Sequence, residues 1–165
     1  MTLKDLNRWA RVHLRWFGTL CVALALTACS AKTDDDWLAH TEAAHEQANR
    51  LVAEGRTSEA LDVLRNVETE LTTSGNADAQ TARRDVLYRL AQIELASGNA
   101  KGAADWATRG LGLERPSDAF TTNLLIVRGR AFEQMNDAAG ASRDYHDALL
   151  ITEALLDRSL EGKTP

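Results

Sequence analysis

Cysteine and proline are scarce in this chain of 165 residues, strand patterning is missing, and basic charge is in deficit. Each shortage removes a class of answer. The two cysteines are Cys21 and Cys29, so residues 30–165 hold no thiol for a disulfide or for nucleophilic work. A domain built from them must hold itself together by its core alone. The prolines are Pro116 and Pro165, which leaves long stretches in which nothing interrupts a helix. β-Branched residues are thin, no stretch alternates apolar and polar positions, and alanine and leucine dominate. The expected fold class is therefore all-α. From Cys29 onward the chain has 137 residues, enough for one domain with a real core, and carries 15 basic against 23 acidic side chains. That net charge of −8 argues against nucleic acid, whose phosphates are neutralised by lysine and arginine, and against a grip on anionic lipid headgroups.

Motifs for catalysis are lacking as well. His40 and His45 are five apart, which does not place both on one helix face, and His146 lies a hundred residues on. No zinc-protease spacing, P-loop or dinucleotide fingerprint is present. Glu68 and Glu70, near basic residues at helical spacing, read as ordinary solvated faces. No enzyme, no metal and no small cofactor is expected.

What is present begins at the N-terminus. Residues 1–15 carry Lys4, Arg8, Arg11 and Arg15 against one acid, Asp5. Residues 16–31 carry no charge, and Lys32 ends the run. A basic region, a short apolar region and small residues before a cut is the layout of an export signal. Spanning a membrane takes about 20 apolar residues. This run has 16, including Thr19, Thr27 and Ser30. An uncleaved N-terminal anchor is the alternative. No Arg-Arg pair occurs in the leader, so the general secretory route is the simpler expectation.

The apolar run closes on Leu26-Thr27-Ala28-Cys29, which resembles the lipobox of bacterial lipoproteins. The resemblance implies cleavage before Cys29, a diacylglyceryl thioether on that cysteine and acylation (palmitate or similar) of its new amino terminus. Two or more acyl chains anchor a protein stably, where one holds it only marginally. The residue after the cysteine is Ser30 rather than aspartate, which in such lipoproteins implies sorting to the outer membrane, facing the periplasm, rather than retention at the inner one. The organisation expected is a signal peptide over 1–28, a lipidated cysteine and flexible acidic tether over 29–39 with Asp34, Asp35 and Asp36, and a helical domain over 40–162.

Within that domain three segments share one pattern. Ala44, Ala48 and Leu51 lead through a turn at Gly55 to Ala60, Leu64 and Val67. Leu87, Leu90 and Ala91 lead through Gly98-Asn99 to Ala103, Ala107 and Leu111, with Pro116 as the stop. Leu125, Gly129 and Phe132 lead through Asn136-Asp137 to Ala141, Tyr145 and Ala148. Self-similarity at this period marks a helical array. Small residues let the two helices of a hairpin approach, and large ones fill the space beside that contact. The pattern resembles the tetratricopeptide repeat, with small residues at its eighth, twentieth and twenty-seventh positions and large ones at its eleventh and twenty-fourth. Gly129, Phe132, Ala141, Tyr145 and Ala148 fill those places in the last copy. Glu94 and Ala107 depart from it in the middle copy, and Val67 in the first. The alanines Ala60, Ala103 and Ala141 are 43 and 38 residues apart, against about 34 in regular repeats. The resemblance covers residues 41–155 and implies an α-solenoid of about three hairpins.

Such arrays line a concave surface with the first helix of each repeat. On that register the resemblance implies an inward face of His45, Asn49, Tyr88, Gln92, Ile126, Arg130 and Glu133, suited to an extended peptide or a helix. The bland alternative is that these residues are merely solvated. The lysine and asparagine clamp of chaperone-binding members is not reproduced, with His45 in place of lysine and Val127 in place of arginine. The last helix is expected from Ala138 to Glu161, with Gly162 as terminator. At about 100° per residue, Ala141, Tyr145, Ala148, Thr152 and Leu155 face the core. Leu149, Leu156 and Leu160 then extend an apolar stripe to one side, either an interface, as in a homodimer through this helix, or a face covered internally. Trp37 is read as the entry to the first helix, and Trp106 as facing outward or touching a neighbour.

The function expected is that of a membrane-anchored periplasmic scaffold or assembly factor that binds a protein of an envelope complex, of the secretion, pilus or outer-membrane assembly type. The rivals are a small-ligand-binding accessory of a solute transporter and a regulator of a cell-wall enzyme.

Overall fold

A computed structural model describes residues 36–74, 76–113 and 118–162, which fall in one unit, Asp35–Pro165. The leader, the lipidation site at Cys29, the tether up to Asp35 and the stop at Pro116 lie outside the described residues. Six helices and no strand are present among those described: α1 Asp36–Ala53, α2 Thr57–Thr72, α3 Ala77–Ala96, α4 Ala100–Gly112, α5 Ala119–Gln134 and α6 Ala138–Glu161. The described residues form an all-helical fold, as composition and patterning predict.

Four helices, α3 to α6, start where short polar side chains satisfy free N–H groups of a first turn. Asn76 accepts from the Asp78 N–H at 2.8 Å, Asn99 from Gly102 at 3.1 Å, Asp118 from Thr121 at 2.8 Å and Asp137 from Gly140 at 2.9 Å. Helix α1 begins at Asp36, ahead of the expected boundary at His40, so the end of the acidic stretch is helical rather than tether. The early start is favoured by Trp37, which packs on the core in the first turn.

Three turns share one geometry. Gly55, Gly98 and Asn136 have φ of 76°, 83° and 61°, the left-handed conformation that closes a helix. In each, the next N–H reaches back five residues: Arg56 to Leu51 at 2.8 Å, Asn99 to Glu94 at 2.9 Å and Asp137 to Phe132 at 2.8 Å. The same residue then opens the following helix, so one short connection both stops α1, α3 and α5 and starts α2, α4 and α6. Asn136 performs the glycine's part because asparagine tolerates this conformation better than most side chains do.

Each helix packs on its neighbours in the chain, and α1 touches α3 as α3 touches α5. Among the described residues the backbones of α2 and α4 stay apart, bridged only by side chains such as Arg65 and Trp106, and those of α4 and α6 stay apart too. The odd-numbered helices therefore stand side by side on one face. Close approach rests on small side chains. Ala48, Ala60, Ala91, Ala103, Ala107 and Ala131 are fully buried, with Leu64, Leu71, Leu87, Leu90 and Leu124 filling between them. One apolar cluster joins α1, α2 and α3, a second joins α3 to α6, and Trp106 packs against both. Trp106 also takes Arg109 over its ring at 4.4 Å and Arg65 at 5.9 Å.

Buried ion pairs staple the stack. Glu68, read from sequence as a solvated residue, is buried against Arg83 of the next helix, with contacts of 3.0 and 2.7 Å. Glu94, at the place of a large apolar residue, accepts from Arg65 at 3.2 Å and from Asn99 at 2.8 Å. Arg128 holds Asp144 through two bonds of 2.7 Å. Arg84 holds Asp118 at 2.9 and 2.7 Å and Thr121 at 2.8 Å. Burial works against ionisation of Asp118, but hydrogen bonds from Arg84 and from the Thr121 N–H outweigh it and hold this carboxyl below the ordinary aspartate range. A buried carboxylate is tolerated only when charge and hydrogen bonds meet it. Glu68, Glu94 and Asp144 are met so across a helix boundary, and at the fourth pair it is Arg84 that is buried and Asp118 that is partly open to solvent.

Candidate functional site

Side-by-side placement of α1, α3 and α5 creates an open cavity of about 640 Å³. Val52 comes from the end of α1 and Thr57 from the start of α2. Tyr88, Arg89, Gln92, Ile93 and Leu95 come from α3, and Asn123, Ile126, Val127, Arg130 and Gln134 from α5. On α3 the residues at 88, 89 and 92 follow the three-and-four spacing of one helix face, and 123, 126, 127, 130 and 134 do so on α5. Leu87, Leu90 and Leu124 are fully buried and do not line it, while Ile93, Leu95 and Val127 belong to the core and line the cavity as well.

Four of the seven residues expected on the inward face line this cavity: Tyr88, Gln92, Ile126 and Arg130. Asn49 stands beside it, its side-chain oxygen accepting from the Arg89 guanidinium. The remaining two point elsewhere. His45 is half-buried between α1 and α3, with Nε2 3.3 Å from Asp85 Oδ2. Glu133 turns toward α6 and accepts from the Tyr145 hydroxyl at 2.8 Å. Burial and that hydrogen bond push the Tyr145 phenol up to about 12. Register alone assigned His45 and Glu133 to the groove; a partner on the adjacent helix takes each of them out of it.

A polar network shapes the α3 wall. Gln92 accepts from Arg89 at 3.1 Å and donates to the Tyr88 hydroxyl at 2.6 Å. Sequence reasoning missed Arg89, Val52 and Asn123. The signal for Arg89 is its position beside Tyr88 and one turn before Ile93, on the stripe already chosen for its neighbours. Val52 and Ile126, large and apolar, are 37% and 39% exposed and lie in this one cavity.

The second candidate surface is on α6. Leu149, Leu156 and Leu160 are 55%, 56% and 56% exposed, so the stripe is not covered from within the described residues. Thr152, expected to face the core, is exposed too, while Leu155 is half-buried. Length accounts for the far end of the stripe: α6 has 24 residues and its neighbour α5 has 16, so at about 1.5 Å per residue α6 outruns α5 by roughly 12 Å, which leaves Leu156 and Leu160 beyond it. The helix ends at Glu161 as expected, but Gly162 has φ of −69°, an ordinary right-handed value that any residue could supply.

Among the described residues, no three His, Cys, Asp or Glu side chains gather as a metal site, and no helix is long and apolar enough to cross a membrane. His40 contacts Glu70 at 2.8 Å on the surface, with both side chains largely exposed. No family model matches the chain, and no curated protein matches it either.

Proposed function

We propose that this protein is a lipid-anchored scaffold of the bacterial cell envelope, held at Cys29 and binding a partner protein in the cavity between α1, α3 and α5. The single observation that carries the reading is that Tyr88, Gln92, Ile126 and Arg130, chosen on tetratricopeptide register, line one open cavity. The repeated left-handed turns and the buried alanines at equivalent places support a solenoid of three such hairpins. An open groove with mixed polar and apolar walls suits an extended segment, which brings its own backbone hydrogen-bonding groups. The lipobox-like Leu26-Thr27-Ala28-Cys29 supports the anchor, and Ser30 supports the outer membrane, facing the periplasm.

A cavity of about 640 Å³ also lies within the span of small-molecule sites, about 300–1,000 Å³. That keeps a ligand-binding accessory role as the second reading.

The test is crosslinking on native membranes, with the wild type compared with the double variant Ile126→Ala/Arg130→Ala. Recovery of one envelope protein, lost in the double variant, is the expected result. Equal recovery from both would remove the groove from the binding surface. Cys29→Ala is expected to move the protein from the membrane to the soluble fraction, and its retention on the membrane would contradict the lipid anchor.

A further inference from the structure

We infer that the groove selects an extended, acidic peptide segment in which a carboxylate side chain neighbours an aliphatic one; this rests on the peptide-binding reading above. The chain as a whole carries 24 acidic against 19 basic residues. The cavity reverses that balance. Its lining holds Arg89 and Arg130 and no aspartate or glutamate. The acids of the same two helices lie or are occupied elsewhere: Asp78 is in the first turn of α3, Asp85 faces His45, Glu94 is bonded to Arg65 and Asn99, and Glu133 accepts from Tyr145.

The two arginines are prepared differently. Arg89 is held by Asn49 from α1 and by Gln92 from its own helix, both neutral acceptors, so its charge is oriented without being cancelled. Arg130 is exposed and makes no hydrogen bond or ion pair among the described residues, its charge acting only at a distance on the Tyr145 hydroxyl. A guanidinium presents several N–H donors in a plane and pairs with a carboxylate through two parallel bonds. Beside them, Val52 and Ile126 present apolar surface to the same space. Burying it stabilises a complex only if the occupant brings an apolar side chain. Charge complementarity thus names the occupant: cationic groups on an acidic protein, next to an apolar bed, fit a segment that alternates acidic and aliphatic residues. The acid is a side chain within the segment, so a blocked C-terminus leaves recognition intact.

The experiment is an anisotropy titration of the purified full-length protein with three labelled peptides, each acetylated and amidated at its ends. They alternate leucine with glutamate, with glutamine or with lysine. The glutamate peptide is expected to bind, to weaken as salt is raised, and to lose about ten-fold or more in affinity in Arg130→Glu. The lysine peptide is expected to bind only that variant. Arg130 bonds to nothing that holds the fold, so Arg130→Glu keeps its helical circular dichroism, and Arg89→Gln provides a second, independent loss. Equal binding of the glutamine and glutamate peptides, unchanged by Arg130→Glu, overturns the acidic preference and leaves the peptide groove standing. Binding of none of the three, with succinate instead raising the melting temperature, overturns both and assigns the cavity to a small anion.

Discussion

A Cβ placed on Gly129 would lie 2.7 Å from Cε1 and 3.1 Å from Cζ of Tyr145, so the ring rests directly on the glycine. This contact sets the approach of α5 and α6. Gly129→Leu is expected to lower stability by about 1–3 kcal/mol through overpacking. Gly112, where an added Cβ would meet nothing within 4 Å, is the control, and Gly112→Leu should stay within about 0.5 kcal/mol of the wild type. Denaturant midpoints measure both. Equal effects at the two sites would show that the helix pair can open without cost.

The turns make a prediction of opposite signs. Gly98 has φ of 83°, where a side chain costs roughly 1–2 kcal/mol, so Gly98→Ala should destabilise by about that much. Asn136, with φ of 61°, already bears such a side chain, and Asn136→Gly should be neutral or slightly stabilising. Thermal unfolding of the two variants separates these outcomes, and a neutral Gly98→Ala would contradict the shared turn geometry.

Acid should act on the pair of Arg84 and Asp118. The Asp118 pKa is lowered from 3.8 in the folded chain, so its contribution is complete above that value and is lost as pH falls through the lower, folded one. Asp118→Asn keeps an oxygen to cap α5 but removes the charge facing buried Arg84. The variant should be about 1–3 kcal/mol less stable at neutral pH, with Asp118 partly open to solvent and the smaller figure favoured for that reason. The gap between variant and wild type should close in strong acid. A gap independent of pH would mean that the charge contributes nothing.

The stripe on α6 separates interface from core. Leu156→Glu/Leu160→Glu should leave helical content and melting temperature almost unchanged, because both leucines already stand in solvent. If the stripe joins two copies of the chain, sedimentation of the double variant should show monomer where the wild type shows dimer. Loss of helicity would show that these side chains are core.

Helices, turns and the span Ala138–Glu161 were legible in the sequence because alanine, leucine and glycine at fixed spacing report local and nearest-neighbour packing. Glu68 was not legible. A glutamate among charges looks solvated until the following helix places Arg83 against it. Glu94 looked like a defect in the repeat for the same reason; its partners Arg65 and Asn99 lie on another helix and in a turn. The groove was half legible. Helical register found Tyr88, Gln92, Ile126 and Arg130, but His45 and Glu133 are claimed by Asp85 and Tyr145 on adjacent helices, pairings that no spacing within one helix reveals. Thr152 was misassigned because it stands close to the place where α5 stops running beside α6, and periodicity within α6 carries no information about where its neighbour begins.

The most direct measurement is site-specific photocrosslinking in living cells, with the photoreactive residue at Ile126 inside the groove or at His146 on the exposed surface of α6. The scaffold account predicts that Ile126 captures a single envelope protein, identified by mass spectrometry, and that His146 captures none. Capture at His146 with nothing at Ile126 would contradict the account and move binding away from the cavity.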